Sequence, residues 1–233
     1  MKWLRPAVLA APLFLSGFCV GAAHAACVSD CIQQNSGGPV IHGSGTMKTE
    51  QRNVGNFTAI RAEGSFELVI ERTGTSGVSV TGDDNLLPFF TSAVEDGTLV
   101  LSSAQGKSFE GKIPTYHVTV ADLRGIETRG AGTVTATKLD GDALTVSLAG
   151  AGKMQLGGRV TDLGITISGA GNLDAAQLQA KNVKIKISGA AQAVVSASDT
   201  LDADVSGAAS VRYLGSPKLT SHVSGAGSLK QKS

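Results

Sequence analysis

The chain has 233 residues, with 20 Lys or Arg against 19 Asp or Glu, so its formal net charge is +1. A charge so close to zero gives no electrostatic basis for binding nucleic acid or an anionic membrane surface. Aromatic residues make up only 4% of the chain, whereas Gly is abundant at 30 residues. This composition is atypical of a compact enzyme core and favours a thin β-architecture with tight corners.

The first 25 residues have the pattern of a secretory signal peptide. Lys2 and Arg5 supply the positive start, residues 7–20 are apolar, and Ala23-His24-Ala25 is a small-x-small cleavage site. The apolar stretch is shorter than the roughly 20 residues that a spanning helix needs, and no later stretch is apolar enough. We therefore predict export to the periplasm or cell surface of a Gram-negative bacterium, with no transmembrane segment in the mature chain.

Residues 26–48 are polar and rich in turn formers, and we expect a flexible leader. Cys27 and Cys31 lie at its start, and outside the cytosol such a pair is expected to form a disulfide. The alternative to a disulfide is a redox-active or metal-binding pair, but His42 is the only other residue nearby that could serve as a metal ligand. Lipidation of Cys27 or of Cys19 is disfavoured because neither follows a Leu-small-small triplet.

Residues 49–129 predict a less regular β-section of short strands. Asp83 or Asp84 is placed to cap a single helical turn that Pro88 soon stops. The Asp96-Gly97 pair indicates a hairpin, and residues 102–112 are polar and predict a loop. Alternating apolar residues indicate strands over residues 64–70, 77–82, 98–101 and 113–120.

Residues 130–230 repeat a short unit that opens on a Ser-Gly-Ala-Gly-like corner. The first glycines of these corners are 20, 19, 20, 18 and 18 residues apart, a period typical of stacked-repeat folds. Gly suits a corner that needs positive φ or close backbone approach. A phosphate-binding loop is the competing interpretation, and no corner completes its G-x-G-x-x-G pattern. The corner glycines are Gly130, Gly150, Gly169, Gly189, Gly207 and Gly225.

The strands that lead into the corners alternate strictly between apolar and polar residues. Three examples are Leu163-Gly164-Ile165-Thr166-Ile167, Val183-Lys184-Ile185-Lys186-Ile187 and Leu219-Thr220-Ser221-His222-Val223. Each rung has the same inward and outward pattern, so equivalent side chains should stack from one rung to the next. The sequence therefore predicts an all-β fold, a right-handed parallel β-helix or solenoid with rungs of about 18–20 residues, as one domain over residues 49–230.

Two features together resemble one bacterial family. These are the block GNFTAIRAEGSFELVIERTGTSGVSVTGDDNLLPFFTSAVEDGTLVLS and the series of S-G-A-G rungs that follows it. The combination, over about residues 43–230, is similar to the putative auto-transporter adhesin, head GIN domain family. The resemblance implies an exported β-helix-like domain, and it implies no established activity and no catalytic residues.

Few residues stand out as functional candidates. His42, His117 and His222 are scattered, and each is interpreted as a surface side chain. The close acidic pairs are Asp83-Asp84, Asp140-x-Asp142 and Asp202-x-Asp204, of which only Asp140 and Asp142 suggest a weak Ca²⁺ site. Lys184 and Lys186, with Lys181, form a basic stripe that either contacts an anionic glycan or is simply a solvated strand face.

These observations favour a non-enzymatic envelope protein without a cofactor. Its solenoid surface would bind or scaffold an envelope protein or a glycan, as broad repeat surfaces generally do. The alternative is a polysaccharide lyase or hydrolase of the β-helix type, which requires converging carboxylates, or a basic residue with a Ca²⁺-bound substrate, in a cleft. If the function depends on a localised site, we expect that site in residues 49–129 and their loop at 102–112 rather than in the repeats.

Overall fold

The structure is a computed structural model that describes residues 40–232. The predicted signal peptide, its cleavage site and the Cys27–Cys31 pair lie outside the described residues. Within residues 40–232 almost every element is a β-strand, as the alternating pattern predicts. No helix in this range is long and apolar enough to cross a membrane.

The N-terminal half consists of short strands. A single 3₁₀ helix, Leu87–Phe89, interrupts them and contains Pro88. The strands are β1 (Val40–His42), β2 (Met47–Arg52), β3 (Ala59–Gly64), β4 (Glu67–Arg72), β5 (Gly77–Asp83), β6 (Phe90–Glu95), β7 (Thr98–Ser103), β8 (Ser108–Glu110), β9 (Thr115–Val120) and β10 (Gly125–Gly130).

The C-terminal half contains four long strands and three short ones. The long strands are β11 (Thr133–Gly150), β12 (Lys153–Gly169), β13 (Asn172–Gly189) and β14 (Gln192–Gly207). The short strands are β15 (Ser210–Leu214), β16 (Lys218–Gly225) and β17 (Ser228–Gln231).

Each long strand bends near its middle and contributes to two faces of the molecule. The first half of β11 pairs with β4 and its second half pairs with β10. At the other end, the first half of β14 pairs with β15 and its second half with β16. All pairs among β10 to β17 are parallel, which confirms the predicted β-solenoid. Antiparallel pairs β2–β5, β5–β9 and β6–β7 appear only in the N-terminal half.

The predicted inward positions form one continuous core. Val146 pairs with Ile165, Ile165 with Ile185, and Ile185 with Ala203, and all four side chains are buried. Burial of such apolar side chains contributes about 25 cal/mol per Å² of surface removed from water. The stack of equivalent residues is therefore the main source of stability of the regular coils.

The inward pattern fails in the last coil. Leu219 and Val223 occupy the inward parity of β16, yet each is 41% exposed. Among the described strands β16 pairs only with β14, so no further coil covers its side chains. The alternating pattern predicts a strand here correctly, but burial of its apolar side chains also requires a neighbouring coil on each side.

The corner glycines stack directly on one another. Gly150 has φ of 124°, and a Cβ added to it would lie 2.3 Å from the carbonyl oxygen of Gly130. The amide of Ala151 donates a hydrogen bond to that same oxygen at 3.0 Å. Both the positive φ and the close stacking therefore require glycine here, and Gly169, Gly189 and Gly207 have the same two features.

The N-terminal half differs from its predictions at three points. Folded structure begins before residue 49, because β1 and β2 already pair with β8 and β5. Residues 102–112 are not all loop, since they contain β8. Neither Asp83 nor Asp84 caps the helical turn, whose N-cap residue is Leu86 without a side-chain cap. β1 and β8 have only three residues each and β2 is mostly polar, so these strands depend on long-range pairing and show no clear alternation of their own.

Candidate binding groove at the middle turns of the coils

Each regular coil turns once at a corner glycine and once in the middle of its long strand. The middle turns lie side by side and border a groove of about 1140 Å³ that crosses successive coils. Its charged lining residues are Arg72, Asp122, Arg124, Asp140, Asp142, Arg159 and Lys181, and its uncharged polar ones include Thr161, Gln179, Ser196, Ser198 and Ser216.

The middle turns have no common backbone conformation. In β11 Lys138 has φ of 57°, whereas in β12 Gly158 has φ of 138°. The pairing register shifts at this level between β11 and β12, between β12 and β13, and between β13 and β14. Such irregularities re-aim side chains, so the groove is lined by different side chains in each coil.

A row of polar residues runs along the groove. Neighbouring strands lie about 4.8 Å apart, so the row offers one polar side chain at each such step. Arg159 Nη2 donates a hydrogen bond to Gln179 Oε1 in the next coil at 3.4 Å. The row consists of residues paired in register from β11 to β14, namely Asp140, Arg159, Gln179 and Ser196.

A second row, beside the first, is held together by direct hydrogen bonds. Asn182 Nδ2 donates to Asp162 Oδ1 at 2.9 Å, and Thr200 Oγ1 donates to Asn182 Oδ1 at 2.8 Å. These three residues also pair in register between neighbouring coils. Because each bond links two coils, the row fixes the spacing of the strands beside the groove.

The charges of the groove are only partly compensated within it. Arg72 Nη1 lies 3.3 Å from Asp140 Oδ2, and Arg124 Nε lies 2.9 Å from Asp122 Oδ2. These pairs are solvent-exposed, so each contributes little to stability. The groove cations that form no salt bridge with any residue between 40 and 232 are Arg159 and Lys181, and among its acidic residues the same holds for Asp142.

The structure separates the predicted basic stripe. Lys181 lines the groove, whereas Lys184 and Lys186 lie on the outer face of β13 and are absent from the groove lining. Lys184 Nζ is 3.6 Å from Asp202 Oδ2, and Lys186 pairs in register with Asp204. Lys184 and Lys186 therefore belong to a solvated face of mixed charge.

The other sequence candidates do not converge. His42 Nδ1 lies 3.0 Å from Glu110 Oε2, whereas His117 and His222 are exposed on other strands. Asp140 and Asp142 both line the groove, but Asp140 contacts Arg72. Across residues 40–232 no cluster of three or more His, Cys, Asp or Glu side chains is arranged to hold a metal ion.

Asp83 has a structural role that its sequence context did not reveal. Its side chain is buried, at 2% exposure. Its carboxylate accepts hydrogen bonds from the amide of Gly45 at 3.0 Å and from the amide of Lys112 at 3.1 Å. Asn85 adds a bond from its Nδ2 to the carbonyl of His42 at 2.8 Å. This turn therefore ties the segments that carry β1 and β8 to the solenoid.

The pKa values of three titratable groups outside the groove are perturbed. Arg61 Nε donates to Glu127 Oε2 at 2.8 Å, and this bond raises the pKa of Arg61 and lowers that of Glu127, with a further contribution from Arg129 to the shift of Glu127. Burial raises the pKa of Tyr116 to about 12. The shifts of Arg61 and Glu127 arise from an ion-pair network on the surface and that of Tyr116 from a core position, so none of them indicates catalytic chemistry.

Most of the residues that line the groove were not predicted from the sequence. Arg72, Arg124, Arg159 and Gln179 were not singled out, although the last two follow a corner glycine by nine or ten residues, as Asp140 and Ser198 do. Alignment of the repeats on their corner glycines would have shown a polar residue at this level in each coil. The contribution of Arg72 comes from outside the repeats and required the pairing of β4 with β11.

Comparison with known proteins gives the following matches. Residues 56–217 match the sequence profile of the family described as "Putative auto-transporter adhesin, head GIN domain". A crystal structure of a putative adhesin from Bacteroides fragilis is 26% identical, with a TM-score of 0.68, covering 82% of this chain and 100% of that one. A putative lipid binding protein from Parabacteroides distasonis is 20% identical, with a TM-score of 0.52, covering 83% of this chain and 100% of that one. No curated protein matches the sequence.

Proposed function

The chain belongs to the head GIN domain family, and from this premise we propose that it is an exported, non-enzymatic binding module whose groove holds an extended acidic glycan of the cell envelope. The observation that carries the proposal is the groove itself, a polar channel that crosses successive coils and contains two cations without salt bridges in the described residues. The similar protein from Bacteroides fragilis is described as a putative adhesin, which agrees with a binding role.

The shape of the groove favours a linear polymer. Its polar row repeats at each coil, about every 4.8 Å, a distance of the same order as one sugar unit. Hydroxyl groups of Thr161, Ser196, Ser198 and Ser216 supply further hydrogen-bond partners. A chain of hydroxylated units can therefore contact several coils at once, and many weak contacts add to a useful affinity.

The charge of the groove, with four cations against three carboxylates, favours an acidic rather than a neutral chain. None of the groove-lining residues is aromatic, so a neutral sugar has no ring on which to stack. Arg159 and Lys181 are available to bind carboxylates, and Arg binds a carboxylate through two parallel hydrogen bonds. Acidic units therefore gain an interaction that neutral units lack.

Binding without cleavage is favoured over the enzyme alternative by the state of the carboxylates. A glycosidase needs one protonated carboxyl group in an apolar setting and one ionised group opposite. Here the side chains of Asp122 and Asp140 are 44% and 69% exposed and each contacts an arginine, and the third groove carboxylate, Asp142, is exposed as well. They lack the apolar surroundings that a general acid requires.

A binding measurement with two polymers tests the proposal. Polygalacturonate serves as the acidic probe and amylose as the neutral one, in affinity electrophoresis of the purified chain. We expect retardation by polygalacturonate only, weakened at least tenfold by the double variant Arg159→Ala/Lys181→Ala and weakened by 0.5 M NaCl. The matched control is Lys184→Ala/Lys186→Ala, which removes the same amount of charge from the outer face of β13, the strand that also carries Lys181.

Three results would overturn the proposal. One is no binding of the acidic polymer, and another is equal binding by both double variants. The third is the appearance of shortened or unsaturated sugar products, which would show that the chain is a polysaccharide-active enzyme.

A further inference from the structure

A second cavity, separate from the groove, lies in the N-terminal half. It measures about 300 Å³, at the lower end of the range for small-ligand pockets. Its apolar wall includes three Phe residues, and the chain has only 7. The side chains that define this wall are Phe66, Leu86, Phe90, Phe109 and Tyr116.

The cavity exists because the repeat ends here. Each later corner stacks on the corner before it, but β7 rather than another corner lies beside β3. The segment that carries β8 lines the cavity together with Gly64, and the amide of Glu67 donates to the carbonyl oxygen of Pro114 at 2.9 Å. On the side of the next coil, Phe66 is fixed, since its ring fills the space where a Cβ on Gly132 would stand. Phe109 of β8 packs on Phe90 with ring centroids 5.5 Å apart. An apolar space remains between the segment that carries β8 and the first corner.

The mouth of the cavity has a cation and an exposed apolar side chain. Glu63 also lines the cavity, but it is 3.6 Å from Arg129 and is compensated there. Lys112 makes no salt bridge within residues 40–232. Ile113 beside it is 55% exposed. A ligand with an apolar chain and a negative head group could therefore place its chain against the apolar wall and its head group beside Lys112.

We propose that this cavity binds the alkyl chain of a fatty-acid-class anionic amphiphile, with Lys112 beside its carboxylate. The small volume restricts the ligand to a short or medium chain. Ser103 also lines the cavity, its Oγ lies 3.8 Å from the place of a Cβ on Gly64, and its hydroxyl group can donate a hydrogen bond to the head group.

The two-stranded sheet of β1 and β8 offers a route into the cavity. β1 and β8 form a separate two-stranded sheet with only three paired residues on each strand. A two-stranded pair of this kind is marginal in water without support, and here that support comes from Asp83 and Asn85. Opening of this pair would expose the cavity while the parallel coils stay intact.

The test uses sodium decanoate, below its micelle concentration, and decanol as a neutral analogue, by calorimetric titration of the full chain. We expect saturable binding of decanoate in the micromolar range. Ser103→Trp, which fills the cavity, should weaken binding at least tenfold, whereas Thr145→Trp on an exposed position of β11 should not. Lys112→Ala should weaken decanoate several-fold and leave decanol unchanged.

Ile113→Asp serves as a second blocking variant, because position 113 is exposed and its substitution is compatible with folding even where Ser103→Trp is not. No saturable binding by the natural chain would overturn the proposal. So would equal affinities of the natural chain and Ile113→Asp. The groove variant Arg159→Ala/Lys181→Ala should bind decanoate normally, so this site and the groove are tested independently.

Discussion

The chain turns at two edges of the solenoid, the corner edge and the groove edge, and the backbone makes the turn differently at each. At the corner edge every described coil uses a stacked glycine at positive φ, and the same amide-to-carbonyl hydrogen bond recurs at the corners of Gly130, Gly150, Gly169, Gly189 and Gly207. At the groove edge the coils turn with shifted registers and different side chains. The corner edge is thus dictated by backbone packing and leaves little room for side chains. The groove edge is free to vary, and recognition can develop there without loss of the fold.

The largest expected effect comes from breaking the corner edge. Gly150→Ala forces a Cβ to within 2.3 Å of the Gly130 carbonyl oxygen, at a φ of 124°. Backbone strain and overpacking together should cost about 3 kcal/mol or more. Urea denaturation monitored by circular dichroism measures this loss.

The matched control is a glycine at the groove edge. A Cβ added to Gly141 would meet no atom within 4 Å, and its φ is not in the left-handed region. Gly141→Ala should therefore change the free energy of unfolding by less than about 0.5 kcal/mol. Similar losses for both substitutions would mean that the two edges do not differ in the way described.

An intermediate effect is expected at the N-terminal half, which depends on side chains rather than on stacked corners. Asp83→Ala leaves the amides of Gly45 and Lys112 without their buried acceptor. Hydrogen bonds to charged groups contribute about 1.5–3 kcal/mol each, so we expect a loss of about 2–3 kcal/mol. Hydrogen exchange should show that the amides near β1 and β8 lose protection, while those of β12 and β13 keep it.

The matched control for Asp83 is Asp142→Ala. It removes an exposed carboxylate that has no salt bridge to the described residues, and it should leave stability unchanged. Uniform loss of protection along the whole chain in Asp83→Ala would contradict a local role for this residue.

The same contrast explains what the sequence could and could not predict. The corner glycines and the alternation of Leu163-Ile165-Ile167 are local patterns, so the fold and its inward positions were predictable. The groove depends on register shifts and on the contact of Arg72 with Asp140, two residues 68 positions apart. The anchoring by Asp83 spans 38 positions to Gly45. Contacts at such separations leave no periodic trace in one sequence.

The smallest expected effect concerns the outer face near the join between the irregular and regular halves. Arg61, Glu127 and Ser147 pair in register on β3, β10 and β11, so the charged pair is present in the first two coils and ends at the third.

The pKa of Glu127 is lowered chiefly by the hydrogen bond from Arg61 and secondarily by Arg129. A carboxyl group with a lowered folded-state pKa stabilises the fold above its unfolded-state pKa, and this contribution is lost as pH falls through the folded-state value. Because both side chains remain partly exposed to solvent, the effect on stability should be slight, and the more sensitive measurement is the carboxyl titration of Glu127 by NMR. Arg61→Ala should raise its pKa more than Arg129→Ala does. A reversed order, or no change in either variant, would show that the register between β3 and β10 does not set the charge state of this face.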